Sequence, residues 1–236
     1  MTVDFDAAAH DLSNAFIARR SYCAPFLSLI PVTGAAISTI GTLVAPETVC
    51  ASDAAAARLD EVQFDLGEGP CWEALATGRP VLERDIRDGA RGAWPAFVEA
   101  VRDLPVRGVY AFPLTIGRMN VGVIDLYSSR PAELQDGHQR DAEALASIAA
   151  RQILRELVMR SGDEGEDDPG SEFSRRTIHQ ATGMVLAQLN VSPDDAVLIL
   201  QAHAYSSGRS LRDVADDVLA RRLDFATGLG EGGEGR

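Results

Sequence analysis

Between Ser161 and Gly170 the chain reads Ser-Gly-Asp-Glu-Gly-Glu-Asp-Asp-Pro-Gly, a run without one apolar anchor. Like charges at this density repel one another, and glycine and proline keep the backbone out of regular elements. No hydrophobic core can run through such a segment. The 236-residue chain is therefore predicted to fold as two units, over 5–160 and 172–225. Residues 161–171 are expected to be a flexible acidic linker. The Gly/Glu-rich end, 226–236, is expected to be disordered.

Composition narrows the class. Hydrophobic residues make up 46% and charged ones 24%, the balance of an ordinary globular protein. No apolar run is long enough to span a bilayer, and the acidic start Met1-Thr2-Val3-Asp4 lacks a secretory pattern, so a cytoplasmic protein is expected, with no membrane partner. Cys23, Cys50 and Cys71 are odd in number and widely spaced, which argues against a metal cluster and, in that compartment, against a disulfide. No cofactor or metal is predicted. Net charge is -13, and all 22 basic residues are arginine. The acid excess is uneven: residues 173–236 hold seven arginines against eight acids, and are nearly neutral. Nucleic-acid binding there would rest on local geometry rather than on a basic domain.

In the larger unit, apolar residues at helical spacing (Phe5, Ala8, Ala9, Leu12, Phe16) predict one helix from Asp4 to Arg19. Residues 35–40, 48–51 and 80–84 read as strands, and 58–61, 70–76 and 94–101 as short helices. The clearest strands are 108–114 and 121–127, joined by a turn at Gly117-Arg118-Met119-Asn120. A long helix follows from Asp136 to Met159. This order, with Leu66-Gly67-Glu68-Gly69-Pro70-Cys71 and the hairpin Phe112-Pro113-Leu114 to Gly122-Val123-Ile124, resembles a GAF domain. The resemblance implies an antiparallel sheet flanked by helices, acting as a sensory, ligand-binding or dimerising module.

After the acidic run, Ile178, Ala181, Val185 and Leu189 fall on one stripe of a helix. Arg175, Arg176, His179, Thr182 and Gly183 gather on another. Ser192-Pro193-Asp194-Asp195 and Ser210-Leu211-Arg212-Asp213 each start a further helix, and Gly208 ends the second. Arg221 and Arg222 are expected in the last turn of the third. Ala181-Thr182-Gly183-Met184, then Ala196, Leu200 and Ala204, then Leu211-Arg212-Asp213-Val214-Ala215 together resemble the ANTAR domain, a three-helix RNA-binding module of transcription antiterminators. The fold class is thus α+β with an appended three-helix unit. Two positions depart from the family pattern: Thr182 stands where lysine is common, and Gln201 where arginine often follows the second-helix leucine.

The resemblances imply a signal-responsive regulator that binds hairpins in nascent transcripts and controls transcription termination. RNA contact is expected at Arg175, Arg176, His179, Gln180, Ala181, Thr182, Gly183, Met184, Arg209 and Arg212. Intradomain helix packing is an equal reading of the small residues. A small-molecule ligand would lie among Phe64, Trp72, Trp94, Asp125 and Tyr127, residues that aromatic core packing would equally explain. A homodimer is expected, with Leu145, Ile148, Ile153 and Leu157 as the candidate stripe; their other reading is a lid on their own sheet. No Ser-His-Asp pattern, Walker loop or HExxH motif occurs, and an enzyme is not expected. Two other classes stay open: a protein-docking regulator without RNA affinity, and a GAF-type thiol oxidoreductase using Cys71, which reads more simply as a small buried residue.

Overall fold

The computed structural model describes residues 4–18, 20–40, 46–88, 92–162 and 175–228. Its chain divides into two compact units, 1–173 and 174–236.

The larger unit is built on five strands: β1 (Gly34–Thr39), β2 (Glu47–Ala51), β3 (Val81–Glu83), β4 (Gly108–Ile116) and β5 (Met119–Ser128). They form one antiparallel sheet in the order β2-β1-β5-β4-β3. β4 and β5 are joined by a two-residue turn at Gly117-Arg118, with Gly117 at φ +63, the left-handed value that the first central position of such a hairpin requires. Met119 and Asn120, expected in the turn, already pair with β4.

Helices cover both faces, so alternate residues of each strand are apolar on both sides. On one face Ile37, Tyr110, Phe112, Ile124 and Leu126 pack against α1 (Phe5–Ser13), α3 (Ala24–Leu29) and α7 (Asp136–Gly162). On the other, Val109, Ala111, Val123 and Tyr127 meet α4 (Ala54–Leu66), α5 (Pro70–Thr77) and α6 (Pro95–Ala100). The first helix is not continuous. It stops at Ser13, and α2 (Ala15–Ala18) follows after Asn14, whose side chain donates back to the His10 carbonyl at 2.9 Å and competes with the helix ladder. Helix α3, started by the Ala24-Pro25 pair, has no counterpart in the sequence reading, and α4 is far longer than the 58–61 expected.

The proposed dimer stripe lies against its own domain. Leu145 and Ile153 are buried in the core beneath the sheet, and Ile148 and Leu157 pack partly onto it. Among the described residues, the large apolar side chains of α7 that stay exposed are Val158 (65%) and Met159 (49%).

The smaller unit consists of α8 (Arg176–Leu189), α9 (Pro193–Ser207), α10 (Leu211–Leu219) and a short α11 (Phe225–Gly228). Ser192 and Ser210 cap α9 and α10 by accepting from Asp195 N at 3.2 Å and Asp213 N at 3.1 Å. Ala181, Val185, Ala196, Leu200, Ala204, Leu211, Val214 and Val218 form the core. The acidic linker falls largely outside the described residues, as does most of the 226–236 tail; α7 runs on to Gly162.

Candidate functional site

In the larger unit, strand alternation sends Val123, Asp125 and Tyr127 to the face covered by α4 and α5. Asp60 and Gln63, three apart on α4, reach the same place. Ser38 Oγ and Thr48 Oγ1 donate to the two Asp60 oxygens at 2.6 and 2.5 Å. Gln63 Nε2 donates to Asp125 Oδ2 at 2.9 Å, and Gln63 Oε1 accepts from Cys71 N at 2.8 Å. The Gln63 carbonyl accepts from Trp72 Nε1 at 2.6 Å. One glutamine therefore ties the start of α5 to a carboxyl in the middle of the sheet. Gly69 makes this approach possible: its φ is +137, and a Cβ there would sit 2.7 Å from Gln63 Oε1.

Asp125 is 1% exposed, and among the described residues its Oδ1 has no hydrogen-bond partner. Burial, and then the adjacent Asp60 carboxylate, push its pKa up to about 8 against the opposing pull of Gln63. Its partners across the sheet are both small, Ala36 on β1 and Ala111 on β4.

The five residues expected at the ligand site share this side of the sheet but divide into two clusters. Phe64 and Trp72 meet edge to face, centroids 5.5 Å apart, beside Ile40, Cys71, Ala111 and Val123. Trp94 and Tyr127 belong to the neighbouring cluster with Leu59, Phe97 and Val109. Tyr127 donates to Asp53 Oδ1 at 3.0 Å; burial and this carboxylate raise the phenol to about 12. Burial pushes Asp53 up, but bonds from Ser52, Ala56 N, Tyr127 and Ala55 N outweigh it and hold the carboxyl below its ordinary range. Asp125 sits between the clusters. Asp60, Gln63, Ser38 and Thr48 were not singled out by the sequence reading; two polar residues three apart beside the buried Leu59 and Val62 were the available signal.

The cysteines correct an expectation. Cys23 and Cys50 form a disulfide across 27 residues, joining the start of α3 to the edge strand β2, while Cys71 lies outside that disulfide and is fully buried. Separation in sequence concealed a pair that the fold brings together. Among the described residues no group of three or more His, Cys, Asp or Glu could hold a metal, and no helix is long and apolar enough to cross a membrane.

In the smaller unit, α8 exposes Arg176, His179, Gln180 and Gly183 in one stripe. The basic and small face expected from the sequence is narrower than it looked. Thr182 is 8% exposed and its hydroxyl donates to the Ile178 carbonyl at 2.8 Å. It lies four residues after Ile178 and three before Val185, so it belongs to the flank of the core stripe. Arg175 is 7% exposed, Ala181 is fully buried, and Met184 packs partly onto the core. Gly183 faces outward, and a Cβ there would meet nothing within 4 Å among the described residues. Helix packing inside the unit therefore does not account for this glycine.

Arg209 is engaged within the unit. Its guanidinium pairs with Asp217 Oδ2 at 2.7 Å and donates to the Asp213 carbonyl at 3.1 Å, while Arg222 holds the other Asp217 oxygen at 2.6 Å. Hydrogen bonds from Arg209 and then Arg222 keep the Asp217 pKa low. Arg212 is half-buried on α10. Arg221 and Arg222 lie beyond the last turn of α10, which ends at Leu219, and Arg221 takes φ +56.

Residues 27–153 match the GAF domain family, and residues 173–219 match the ANTAR domain. Similar solved structures include the GAF domain of a phosphoenolpyruvate-protein phosphotransferase from Coxiella burnetii, at 10% identity and TM-score 0.48, covering 66% of this chain and 96% of that one. The free methionine-R-sulfoxide reductase from Neisseria meningitidis, in complex with its substrate, aligns at 15% identity and TM-score 0.47, covering 67% and 96%. The GAF domain from an Acinetobacter phosphoenolpyruvate-protein phosphotransferase aligns at 10% identity and TM-score 0.46, covering 71% and 100%. A search of curated proteins gave no match. With its GAF match spanning more than half of its length, the chain belongs to the GAF domain family and carries an ANTAR domain after it, the architecture of a signal-responsive regulator.

Proposed function

We propose that the ANTAR domain binds structured RNA, hairpins in nascent transcripts, and thereby controls transcription termination, with the GAF domain sensing a small molecule. The observation that carries this reading is Gly183. A glycine inside a helix costs roughly 1 kcal/mol relative to alanine, yet this one leaves open space where a side chain would fit. It lies beside Arg176, His179 and Gln180 on a helix that contains no acidic residue, in a chain of net charge -13. Such a surface lets a phosphate backbone or an unstacked base come close to the helix without repulsion. Arg176 supplies the charge, and His179 and Gln180 supply hydrogen-bonding edges. Arg175, Thr182 and Ala181 then support the helix from beneath, and Arg209 shapes α10.

The assembly is read as a homodimer, because two linked RNA-binding units gain from effective concentration when they grip two hairpins. Val158 and Met159, not the buried Leu145 and Ile153, are the apolar side chains of α7 left to take part. The test is fluorescence anisotropy of the full chain with stem-loop RNAs across a salt series. Arg176→Ala should weaken binding and reduce the salt slope by about one. Equal affinity and slope for the wild type and this variant would overturn the assignment of the face.

A further inference from the structure

We infer that Asp125 anchors a ligand bearing a cationic nitrogen, a primary ammonium on an apolar body, held between the sheet and helices α4 and α5. The inference rests on the sensory reading of the GAF domain and gives its ligand a chemical class. Asp125 Oδ1 is a buried acceptor without a partner, and the same carboxyl has a second buried carboxylate, Asp60, beside it. Asp60 has hydroxyl donors on both oxygens, whereas Asp125 has only the Gln63 amide on one. A structural aspartate in the centre of a sheet would be expected to carry a matched donor. Instead its neighbours across both strands are alanines, the smallest side chains that keep the strand regular. An ammonium would supply what the pair lacks: a positive charge between two carboxyls and an N–H for Oδ1. Phe64 and Trp72, in contact with each other along the same sheet face, offer apolar surface for the rest of the molecule.

The same geometry couples occupancy to the fold. Gln63 holds Asp125 with its amide nitrogen and the start of α5 with its amide oxygen. An ammonium on Oδ1 leaves the Gln63 bond to Oδ2 in place but adds a positive charge to the carboxyl that Gln63 holds, and the Trp72 indole donates to the carbonyl of the same glutamine.

The experiment titrates the full chain, at a pH just above 8 where Asp125 is ionised, with benzylammonium chloride and, as a neutral counterpart of similar shape, benzyl alcohol. Affinity is read by calorimetry, and position by the indole N–H resonances of the protein's two tryptophans, Trp72 and Trp94. Benzylammonium should bind at least about tenfold more tightly than the alcohol, the size of one charged hydrogen bond. It should shift the Trp72 indole, and Asp125→Asn should remove the preference. Equal binding of the two probes with Trp72 moving for both would keep a ligand sensor and overturn the cationic class. No movement of Trp72 with benzylammonium would overturn the site. Should Asp125→Asn not fold, the wild-type preference and the Trp72 shift decide the matter by themselves.

Discussion

Replacing Asp125 by asparagine should make the GAF domain less sensitive to pH, in a direction opposite to ordinary acid denaturation. The folded domain holds the Asp125 proton up to about pH 8, whereas an ordinary aspartate releases it near 3.8. Between those values the folded state binds more protons than the unfolded chain. Stability from this group is thus fully present below about pH 4 and is lost as pH rises through 8. Each pH unit in that window costs about 1.4 kcal/mol. Between about pH 5 and pH 7.5 the loss accumulates to roughly 3 kcal/mol. Asparagine keeps the shape and cannot ionise, so its variant lacks this slope. Urea unfolding followed by tryptophan fluorescence reports on the GAF domain alone, because Trp72 and Trp94 both lie in the first unit. The gap between wild type and Asp125→Asn should move by about 3 kcal/mol in favour of the variant over that interval. Other titrating groups are common to both proteins and cancel in the difference, apart from the relief that Asp60 gains in the variant. Parallel pH curves would refute the reasoning and mean that Asp125 is solvated or paired in solution.

Three further outcomes are expected. Gly183→Ala should raise the thermal stability of the C-terminal helices, seen by circular dichroism, by about 0.5–1 kcal/mol while lowering RNA affinity, since the new methyl meets no neighbour within the unit. Leu145→Ala and Ile153→Ala should each cost about 2–5 kcal/mol in unfolding of the GAF domain and leave the sedimentation coefficient of the folded protein unchanged, because both side chains fill its core. Peptide mapping without reductant should recover Cys23 joined to Cys50, with Cys71 reacting with an alkylating reagent only after denaturant is added.

What could be read from the sequence was local. The hairpin of β4 and β5 announces itself through Gly117 and flanking β-branched and aromatic residues, and Ser192 and Ser210 mark the starts of α9 and α10 through the same serine-to-acid spacing. These signals lie within four residues of the element they set. The break at Asn14 was missed because the apolar spacing continues across it, and only the asparagine's bond to His10 reveals the stop. The knot of Asp60, Gln63 and Asp125 spans three elements, so no short window contains it. Cys23 and Cys50 likewise meet only when α3 and β2 are folded together. On α8 the helical period matches the sequence, but the buried stripe is wider than the apolar residues alone imply and takes in Thr182 on its flank. The apolar residues of α7 could not say from sequence whether they face a partner or their own sheet; the five-stranded sheet beneath them accounts for Leu145 and Ile153.

Crosslinking in the host decides whether the exposed stripe of α8 reads RNA hairpins to control termination. The full chain and its Arg176→Ala, Gly183→Leu double variant would each be crosslinked to RNA, with sequencing of the RNA and mass spectrometry of the attached peptide. Wild-type reads should be enriched in paired hairpins ahead of transcription terminators, with a crosslinked peptide from α8, and both should be lost in the double variant. Hairpin enrichment that persists in the double variant, or wild-type reads no richer in hairpins than the background transcriptome, would contradict that role.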